Sequence, residues 1–159
     1  MYEPIKMWCD GGCRGNQMDE NIGAWGVYIT YKDYVKELSN GAINTTNNIM
    51  ELTACIEGLK AIKKKSIPVI VYLDSAYVLN GITNWINMWK SNGWITSKKQ
   101  PVLNKNLWIE LDTLKSQFDN IEFKKVKGHS NNYGNIQADR LCNEYMNKLD
   151  ECLNELKGE

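Results

Sequence analysis

The stretch MWCDGGCRGN, residues 7–16, decides which kind of fold the chain builds. Glycines after an apolar strand suit a dinucleotide site, in which G-x-G-x-x-G opens directly into a helix whose N-terminus holds the pyrophosphate. Gly11, Gly12 and Gly15 lack that spacing, and the following GAWGVYITYKDYVKELSNGAI is rich in aromatic and β-branched residues. That composition predicts a hairpin. We therefore interpret the stretch as a strand that stops at Asp10 and presents its carboxylate.

Length and charge limit the classes of protein to which the chain can belong. With 159 residues and 43% hydrophobic content, the chain is long enough for one domain with a sizeable core. Its 19 basic and 19 acidic residues argue against a strongly basic nucleic-acid coat and against a charged disordered tail. Residues 1–59 hold four basic and eight acidic side chains, whereas residues 90–127 hold eight lysines and four acidic side chains. This asymmetry suits a metal-dependent enzyme with a polyanionic substrate, and it equally suits unevenly charged solvated faces.

The five cysteines predict a reducing environment. Their number is odd, they lack the paired C-x-x-C spacing of zinc sites, and no secretory segment precedes them. No apolar run approaches the roughly 20 residues that a membrane span needs. We therefore expect free thiols, a cytoplasmic location and no association with a membrane.

Periodicity predicts an alternation of strands and helices. Strands are predicted at residues 5–9, 24–31, 35–43, 69–74 and 121–128, and helices at 50–65, 76–93, 104–118 and 136–157, with a loop at 129–135. Three leading strands, followed by helices that alternate with strands, imply an α/β mixed sheet with helices on its faces. No repeat, low-complexity tract or linker divides the chain, so we expect a single domain over residues 1–159.

Four carboxylates fall where such a sheet gathers polar groups. Asp10 and Asp74 each end an apolar strand, Glu51 opens the first predicted helix, and Asp139 lies in the first turn of the last one. Strand C-termini and helix N-termini converge at one edge of the sheet. Glu51 and Asp139 also suit helix dipoles, and Asp10 and Asp74 also suit turns. Asp74 favours a site more strongly, because an acid at the edge of a core loses hydration unless a cation or a donor compensates.

Five blocks of sequence, in order and over nearly the whole chain, carry a family resemblance. They are CDGGCRGN, TTNNIMELTACIEGL, LDSAYVLNGITNWINMWKSNGW, KKQPVLNKNLW and VKGHSNNYGNIQADRLC. Together they resemble a type 1 ribonuclease H of the bacterial kind, within the RNase H-like superfamily. The resemblance implies a five-stranded mixed sheet with three leading antiparallel strands and helices on both faces. It also implies endonucleolytic cleavage of the RNA strand of RNA–DNA hybrids, leaving 5′-phosphate and 3′-hydroxyl ends. We expect a monomer.

The resemblance assigns metal ligation to Asp10, Glu51, Asp74 and Asp139. Hydrolysis of a phosphodiester needs hydroxide delivered to an anionic phosphorus and a stabilised leaving oxygen, and two Mg²⁺ ions about 4 Å apart supply both. Mg²⁺ takes hard oxygen ligands and keeps waters, so a few carboxylates and a substrate phosphate are enough, with Mn²⁺ as a substitute. Asp10 is the expected bridging ligand, with Glu51 and Asp74 on one ion and Asp139 on the other.

Further residues match catalytic and substrate-binding positions of the family. His129, the only histidine, matches a mobile histidine that assists proton transfer or product departure, although a lone loop histidine is also common as plain surface. The resemblance implies contacts to ribose for Gly11, Gly12, Asn16, Asn47 and Gln137, and contacts to DNA phosphate for Thr46 and Asn48. Such contacts would separate RNA from DNA, because the 2′-hydroxyl distinguishes the two at a given site.

A tryptophan- and lysine-rich segment at about residues 85–105 resembles the family's basic protrusion, which grips the DNA strand. Trp85, Trp89 and Trp94 interleave there with Lys90, Lys98 and Lys99. Because Trp85 and Trp89 are one helical turn apart, they also suit a core, and exposure is expected for Trp94 and the lysines. KSN replaces the family's denser basic run in this segment, and no separate hybrid-binding domain is expected.

Two other classes of function stay open on the sequence. A metal-dependent exonuclease or a related nucleotidyl transferase could use a similar cluster of acids, and an exonuclease would need a strand end. A non-catalytic nucleic-acid-binding module would keep the tryptophans and lysines without needing all four acids. The joint presence of the four acids counts against such a module.

Overall fold

The element order follows the predicted alternation of strands and helices. The protein is described by a computed structural model covering residues 3–15, 20–126, 132–156 and 158. The elements are β1 (Ile5–Gly15), β2 (Asn21–Tyr31), β3 (Tyr34–Ile43), α1 (Asn47–Ala61), β4 (Val69–Leu73), α2 (Ala76–Asn80), a π-helical turn (Gly81–Trp85), α3 (Ile86–Asn92), α4 (Lys105–Ser116), β5 (Ile121–Lys125) and α5 (Tyr133–Leu156). Within the described ranges, no helix combines the length and apolar character that crossing a bilayer requires.

The five strands form one mixed sheet in the order β3-β2-β1-β4-β5. Strands β1, β2 and β3 pair antiparallel, whereas β4 runs parallel to both β1 and β5. The predicted fold, a mixed sheet with three leading antiparallel strands, is therefore confirmed.

Helices cover both faces of the sheet, as predicted. On one face α1 packs so closely that a Cβ at Gly58 would lie 2.5 Å from the sulfur of Met7. On the other face α5 packs against β1 and β2, and a Cβ at Gly134 would lie 2.1 Å from the Trp8 ring. Met7 and Trp8 are neighbours in β1, so the alternation of side chains along a strand sends one to each helix layer.

The prediction that β1 ends at Asp10 is wrong, because the strand continues to Gly15. Its parallel pairing with β4 ends at Cys9 opposite Leu73, but its antiparallel pairing with β2 continues to Gly15 opposite Asn21. The glycines have low β-propensity and therefore suggested an end, but the neighbouring strand supplies hydrogen-bond partners regardless. Asp10 thus lies where β1 leaves β4.

The single helix predicted over residues 76–93 is three pieces, because a π-helical turn separates α2 from α3. Val78, Ile82 and Ile86 are all fully buried. Side chains spaced by four residues drift around an α-helix, which has 3.6 residues per turn. The wider turn, in which the Ile86 amide bonds to the Gly81 carbonyl, keeps all three on the buried side.

Both helices that carry candidate acids begin earlier than predicted. Thr46 caps α1, with its hydroxyl accepting from the Ile49 amide, and the carboxamide of Asn132 accepts from the Asn135 amide at the start of α5. Glu51 and Asp139 therefore lie beyond the first turns of their helices. The first turn of each helix contains no acidic residue. Their placement is not explained by helix dipoles, whose effect is confined to the first turn.

Gly81→Ala is expected to lower the free energy of unfolding by about 1–3 kcal/mol, because a Cβ there would lie 2.0 Å from the buried Trp108 ring. Thermal melting should show the midpoint falling by roughly 2–4 °C per kcal/mol. Gly12→Ala is the matched control, since its Cβ would have no neighbour within 4 Å. Equal stability of the two variants would contradict the close packing.

Candidate active site

The four candidate acids line one cleft at the edge of the sheet where β1 and β4 separate. Asp10 comes from β1, Asp74 follows β4, Glu51 projects from α1 and Asp139 from α5. The cleft is open and has a volume of about 400 Å³. Four separate elements therefore bring carboxylates that are far apart in sequence to one place.

Asp10 and Glu51 are brought together by a close approach of β1 to α1 at Gly11. A Cβ at Gly11 would lie 2.6 Å from the carbonyl carbon of Met50 and 2.7 Å from the amide nitrogen of Glu51. Backbone atoms cannot move aside cheaply, so only glycine fits this position. The Gly11 amide also donates to the Asp10 carboxylate at 3.0 Å. Gly11 lines the cleft, and packing against α1 is enough to require a glycine there.

Asp74 lies on a backbone segment held by two polar contacts. Ser75 caps α2 directly after Asp74, its hydroxyl accepting from the Val78 amide at 3.1 Å. The Lys125 ammonium at the end of β5 donates to the Asp74 carbonyl at 2.6 Å. These bonds hold the backbone that follows β4 and thereby fix the position of the Asp74 Cα, from which the carboxylate projects.

The acids repel one another in a partly dehydrated place. Burial raises the pKa of Asp10 to about 7, and a hydrogen bond with Asp139 and the charge of Asp139 add to the shift. Burial, followed by the charge of Asp10, raises the pKa of Glu51 to about 9. Glu51 Oε2 is buried and has no hydrogen-bond partner among the described residues. The cluster is therefore short of positive charge and takes up either protons or cations.

The donor set fits hard divalent cations such as Mg²⁺ or Mn²⁺. Carboxylate oxygens are the ligands that these ions prefer. The buried Glu51 Oε2, which has no hydrogen-bond partner among the described residues, is available to such an ion. Within the part of the chain that is described, no three His, Cys, Asp or Glu side chains are arranged so that they could hold an ion by themselves. Ions would therefore have to complete their coordination with water and substrate phosphate, as Mg²⁺ usually does.

In a chelator, the free energy of unfolding is expected to fall as the pH rises from about 5 to 9. Folded Glu51 keeps its proton up to a pKa of about 9, whereas an unfolded glutamate loses it near its ordinary value of about 4.3. The folded chain then binds more protons than the unfolded chain, so stability falls with rising pH. Glu51→Gln removes the contribution of Glu51 to this slope, leaves the smaller contribution of Asp10, and should raise the melting temperature at pH 8.5 by a few degrees.

Thermal melts in EDTA at pH 5.5 and 8.5 measure this effect. Glu57→Gln is the control, because Glu57 lies on the same helix but pairs with Lys60 at the surface. A Glu51→Gln protein that is less stable than the parent at pH 8.5 would show that the cluster is not under repulsion.

Some of the predicted substrate-binding residues reach the cleft. Gly12, Asn47 and Asn48 line it, and Gly12 faces open space. Thr46 does not line it in this structure and instead caps α1. Two further candidates, Asn16 and His129, lie outside the described residues.

Four lining residues were missed by the sequence analysis: Ser75, Cys142, Asn143 and Met146. Asn143 follows Asp139 by one helical turn and donates to its carbonyl at 3.1 Å, so helical spacing could have found it. Burial raises the pKa of the Cys142 thiol to about 12, which keeps it protonated. Its sulfur bonds to the Ala24 carbonyl at 3.2 Å, so Cys142 acts as part of the packing.

The tryptophans of the predicted protrusion form a chain of ring contacts. Trp89 lies 5.9 Å from Trp85, 6.0 Å from Trp94 and 5.4 Å from Trp108, measured between ring centroids. The expectation that Trp94 is exposed is wrong, since it is half-buried against this cluster. The reason is its left-handed backbone, φ 65°, with its amide bonded to the Trp89 carbonyl, which turns the chain back onto α3.

Lys98 and Lys99 are exposed, as expected, at the tip of a small turn. Ile95 and Pro101 form its antiparallel base, and the Thr96 amide donates to the Gln100 carbonyl at 2.7 Å. Neither the tip nor the tryptophan cluster lines the cleft.

Gln137 also lies apart from the cleft lining. Its carboxamide oxygen accepts from Arg140 Nε at 2.8 Å, and Arg140 in turn contacts Glu37 and Glu144. This network holds the oxygen end of the Gln137 amide.

A second cleft, of about 490 Å³, lies at the opposite end of β1. Its lining is Ile5, Ile29, Tyr31, Lys32, Lys36, Ala61, Ile62, Lys63, Lys64 and Ile67. Among the described residues, no carboxylate, histidine or thiol lines it, so it does not compete with the four-acid cleft as a hydrolytic site.

Comparison with known proteins decides the family. The sequence model of the RNase H family matches residues 3–147. The chain belongs to the RNase H family. "Ribonuclease H" from Ruthia magnifica subsp. Calyptogena magnifica is 48% identical to it over 145 residues, which cover 91% of this chain and 97% of that protein. The RNase H assignment confirms the predicted family and enzyme class.

Solved structures agree with the RNase H fold. LC9-RNase H1, described as a type 1 RNase H with the type 2 active-site motif, has a TM-score of 0.80 at 27% identity, over 93% of this chain and 74% of that one. The foamy viral protease-reverse transcriptase in complex with RNA/DNA hybrid has a TM-score of 0.80 at 19% identity, over 89% of this chain and 20% of that one. The second similarity shows the fold alone.

Proposed function

We propose that the four-acid cleft hydrolyses the RNA strand of RNA–DNA hybrids at internal positions, leaving 5′-phosphate and 3′-hydroxyl ends. The observation that carries this proposal is the convergence of Asp10, Glu51, Asp74 and Asp139 on one cleft in a chain of the RNase H family. The thiol and the hydroxyl that line the cleft have other roles, since Cys142 Sγ donates to the Ala24 carbonyl and the Ser75 hydroxyl caps α2. The acid cluster therefore suits attack by water. The cleft is open, which suits a duplex substrate, because the cleaved strand must enter the cleft while it stays paired with the other strand.

The four acids would hold two divalent ions, Mg²⁺ with Mn²⁺ as a substitute. Such ions lower the pKa of the attacking water and neutralise the leaving oxygen. Asp10 interacts electrostatically with both Asp139 and Glu51, which suits a ligand shared by both ions. Glu51 and Asp74 would complete one ion and Asp139 the other.

This chain's own residues then orient the substrate. Gly12 faces open space in the cleft, so backbone there is accessible to a ribose. Asn47 and Asn48, in the first turn of α1, offer amide donors and acceptors at the rim. We assign Gly11, Gly12, Asn16, Asn47 and Gln137 to the RNA strand, and Thr46 and Asn48 to DNA phosphate. A 2′-hydroxyl contact on one strand would select the hybrid over duplex DNA.

Lys98→Ala combined with Lys99→Ala is expected to raise KM for hybrid and to flatten its salt dependence. Each lysine that contacts a phosphate adds a salt slope of about 0.9 on a duplex. The value of kcat should change little, because these exposed side chains hold ground state and transition state equally. Steady-state kinetics at several salt concentrations measure both quantities.

Lys63→Ala combined with Lys64→Ala is the matched control, since both lysines are exposed and follow α1 away from the four-acid cleft. If the two double variants have the same KM and salt slope as the parent, the turn at Lys98 and Lys99 is a solvated surface and hybrid is gripped elsewhere.

The proposed action at internal positions is tested with a strand that carries four ribonucleotides between DNA flanks, annealed to DNA. The chimeric strand is labelled at its 5′ end in one preparation and at its 3′ end in another, and the lengths of the labelled products locate the cut. Ligation of the products tests for 5′-phosphate and 3′-hydroxyl ends. We expect cuts within the RNA segment although no RNA end is present. Degradation only from strand ends would favour an exonuclease.

We also propose a monomer with one catalytic domain over residues 1–159 and a cytoplasmic location. The domain assignment is supported by the family match over residues 3–147. The location is supported by the five cysteines, each of which is free in the structure. Sedimentation of the purified chain measures the oligomeric state.

A further inference from the structure

The short connection between β3 and α1, residues 44–46, is held from outside by Asn21. The Asn21 carboxamide donates to the Thr45 carbonyl at 2.9 Å and accepts from the Thr45 amide at 2.8 Å. The Asn21 carbonyl accepts from the Asn44 amide at 2.8 Å. Asn44 has a left-handed backbone, φ 57°, so the connection turns sharply between these bonds. Three hydrogen bonds from one residue therefore fix the turn.

This turn sets where α1 begins. Thr45 is buried, with its methyl group against Gly23, and Thr46 caps the helix. The next two residues, Asn47 and Asn48, line the four-acid cleft. A shift of the turn would therefore move Asn47 and Asn48, which form the asparagine rim of the cleft.

Glu51 is held by a different contact. The backbone of Met50 and Glu51 lies against Gly11, where even a Cβ would not fit. The carboxylate cluster is thus anchored through β1, whereas the asparagine rim is anchored through Asn21. Loosening Asn21 should move the rim and leave the acids in place.

We propose that Asn21 is a positioning residue that sets the affinity for nucleic acid by fixing Asn47 and Asn48. The proposal rests on the proposed function, since the rim is taken to contact the hybrid. Asn21 itself does not line the cleft, so it acts through the turn. The chemical step depends on the acids and is therefore insensitive to Asn21.

Asn21→Ala is expected to raise KM for hybrid about tenfold, the effect of one or two lost hydrogen bonds, with kcat within about twofold of the parent. Fluorescence anisotropy of labelled hybrid in EDTA should show the same loss of affinity. Asn21→Asp keeps the acceptor for the Thr45 amide but places a carboxylate oxygen against the Thr45 carbonyl, so a rise in KM of about tenfold is expected here too. The second variant provides the test if the alanine variant does not fold.

Asn40→Ala is the matched control, because Asn40 is exposed in β3 and its carboxamide bonds only to the adjacent Gly41 amide in the described structure. Its KM and kcat should equal those of the parent. The inference is overturned if Asn21 variants have an unchanged KM and affinity, or if kcat falls while KM stays constant. If the parent cleaves and binds hybrid normally, that failure concerns Asn21 alone. A parent that neither binds nor cleaves hybrid overturns the proposed function and this inference together.

Discussion

Asp10→Asn is expected to lower kcat for hybrid cleavage by more than about a thousandfold while the protein stays folded. Asp10 interacts with two other acids of the cluster, since Asp139 adds to the raised pKa of Asp10 and the charge of Asp10 adds to the raised pKa of Glu51. The amide keeps the shape of the side chain but loses the charge that would hold cations, which costs several kcal/mol of transition-state stabilisation. Steady-state turnover of a labelled hybrid measures the loss.

The folded state of Asp10→Asn is checked by circular dichroism and thermal melting. Because the substitution removes a repelled carboxylate, its melting temperature in EDTA should not fall below that of the parent. Asp33→Asn is the control of equal charge change, since Asp33 is exposed in the β2–β3 turn. Near-normal turnover by a folded Asp10→Asn protein would contradict metal ligation by the four acids.

His129→Ala is expected to slow turnover by up to about a hundredfold, a smaller loss than that of Asp10→Asn. A histidine that assists proton transfer or product departure contributes roughly this much, and its ordinary pKa near neutrality suits the task. Added imidazole should restore part of the rate. The affinity for Mg²⁺, followed by the rise in melting temperature on titration, should be unchanged.

Loss of Mg²⁺ affinity in His129→Ala would show that the histidine is a ligand. The contrast with Asp10→Asn, which should weaken the response to Mg²⁺, separates the two roles.

The sheet could be predicted because its strands are read from local signals. The aromatic and β-branched residues of β2, which is buried almost throughout, and the apolar run of β4 are such signals. The extent of β1 could not be predicted, since residues 11–15 are extended because they pair with β2 and not because these residues have a high β-propensity. The π-helical turn was missed for a similar reason, because it depends on tertiary burial of Ile82 and Ile86.

The candidate site could be predicted in part. The four acids stood out because each follows or opens an element, although Glu51 and Asp139 lie a turn deeper in their helices than expected. Asn143 and Ser75 reach the cleft through helix geometry, which a sequence shows only once the helix is known. The bonds from Asn21 to Thr45 span 24 residues and leave no pattern in the sequence.

The most direct measurement compares Mg²⁺-dependent cleavage of three duplexes of one sequence: RNA–DNA hybrid, duplex RNA and duplex DNA. We predict that only the RNA strand of the hybrid is cut and that EDTA stops the reaction. Cleavage of duplex RNA or duplex DNA at a rate similar to that of the hybrid would contradict the account, as would hybrid cleavage that continues in EDTA.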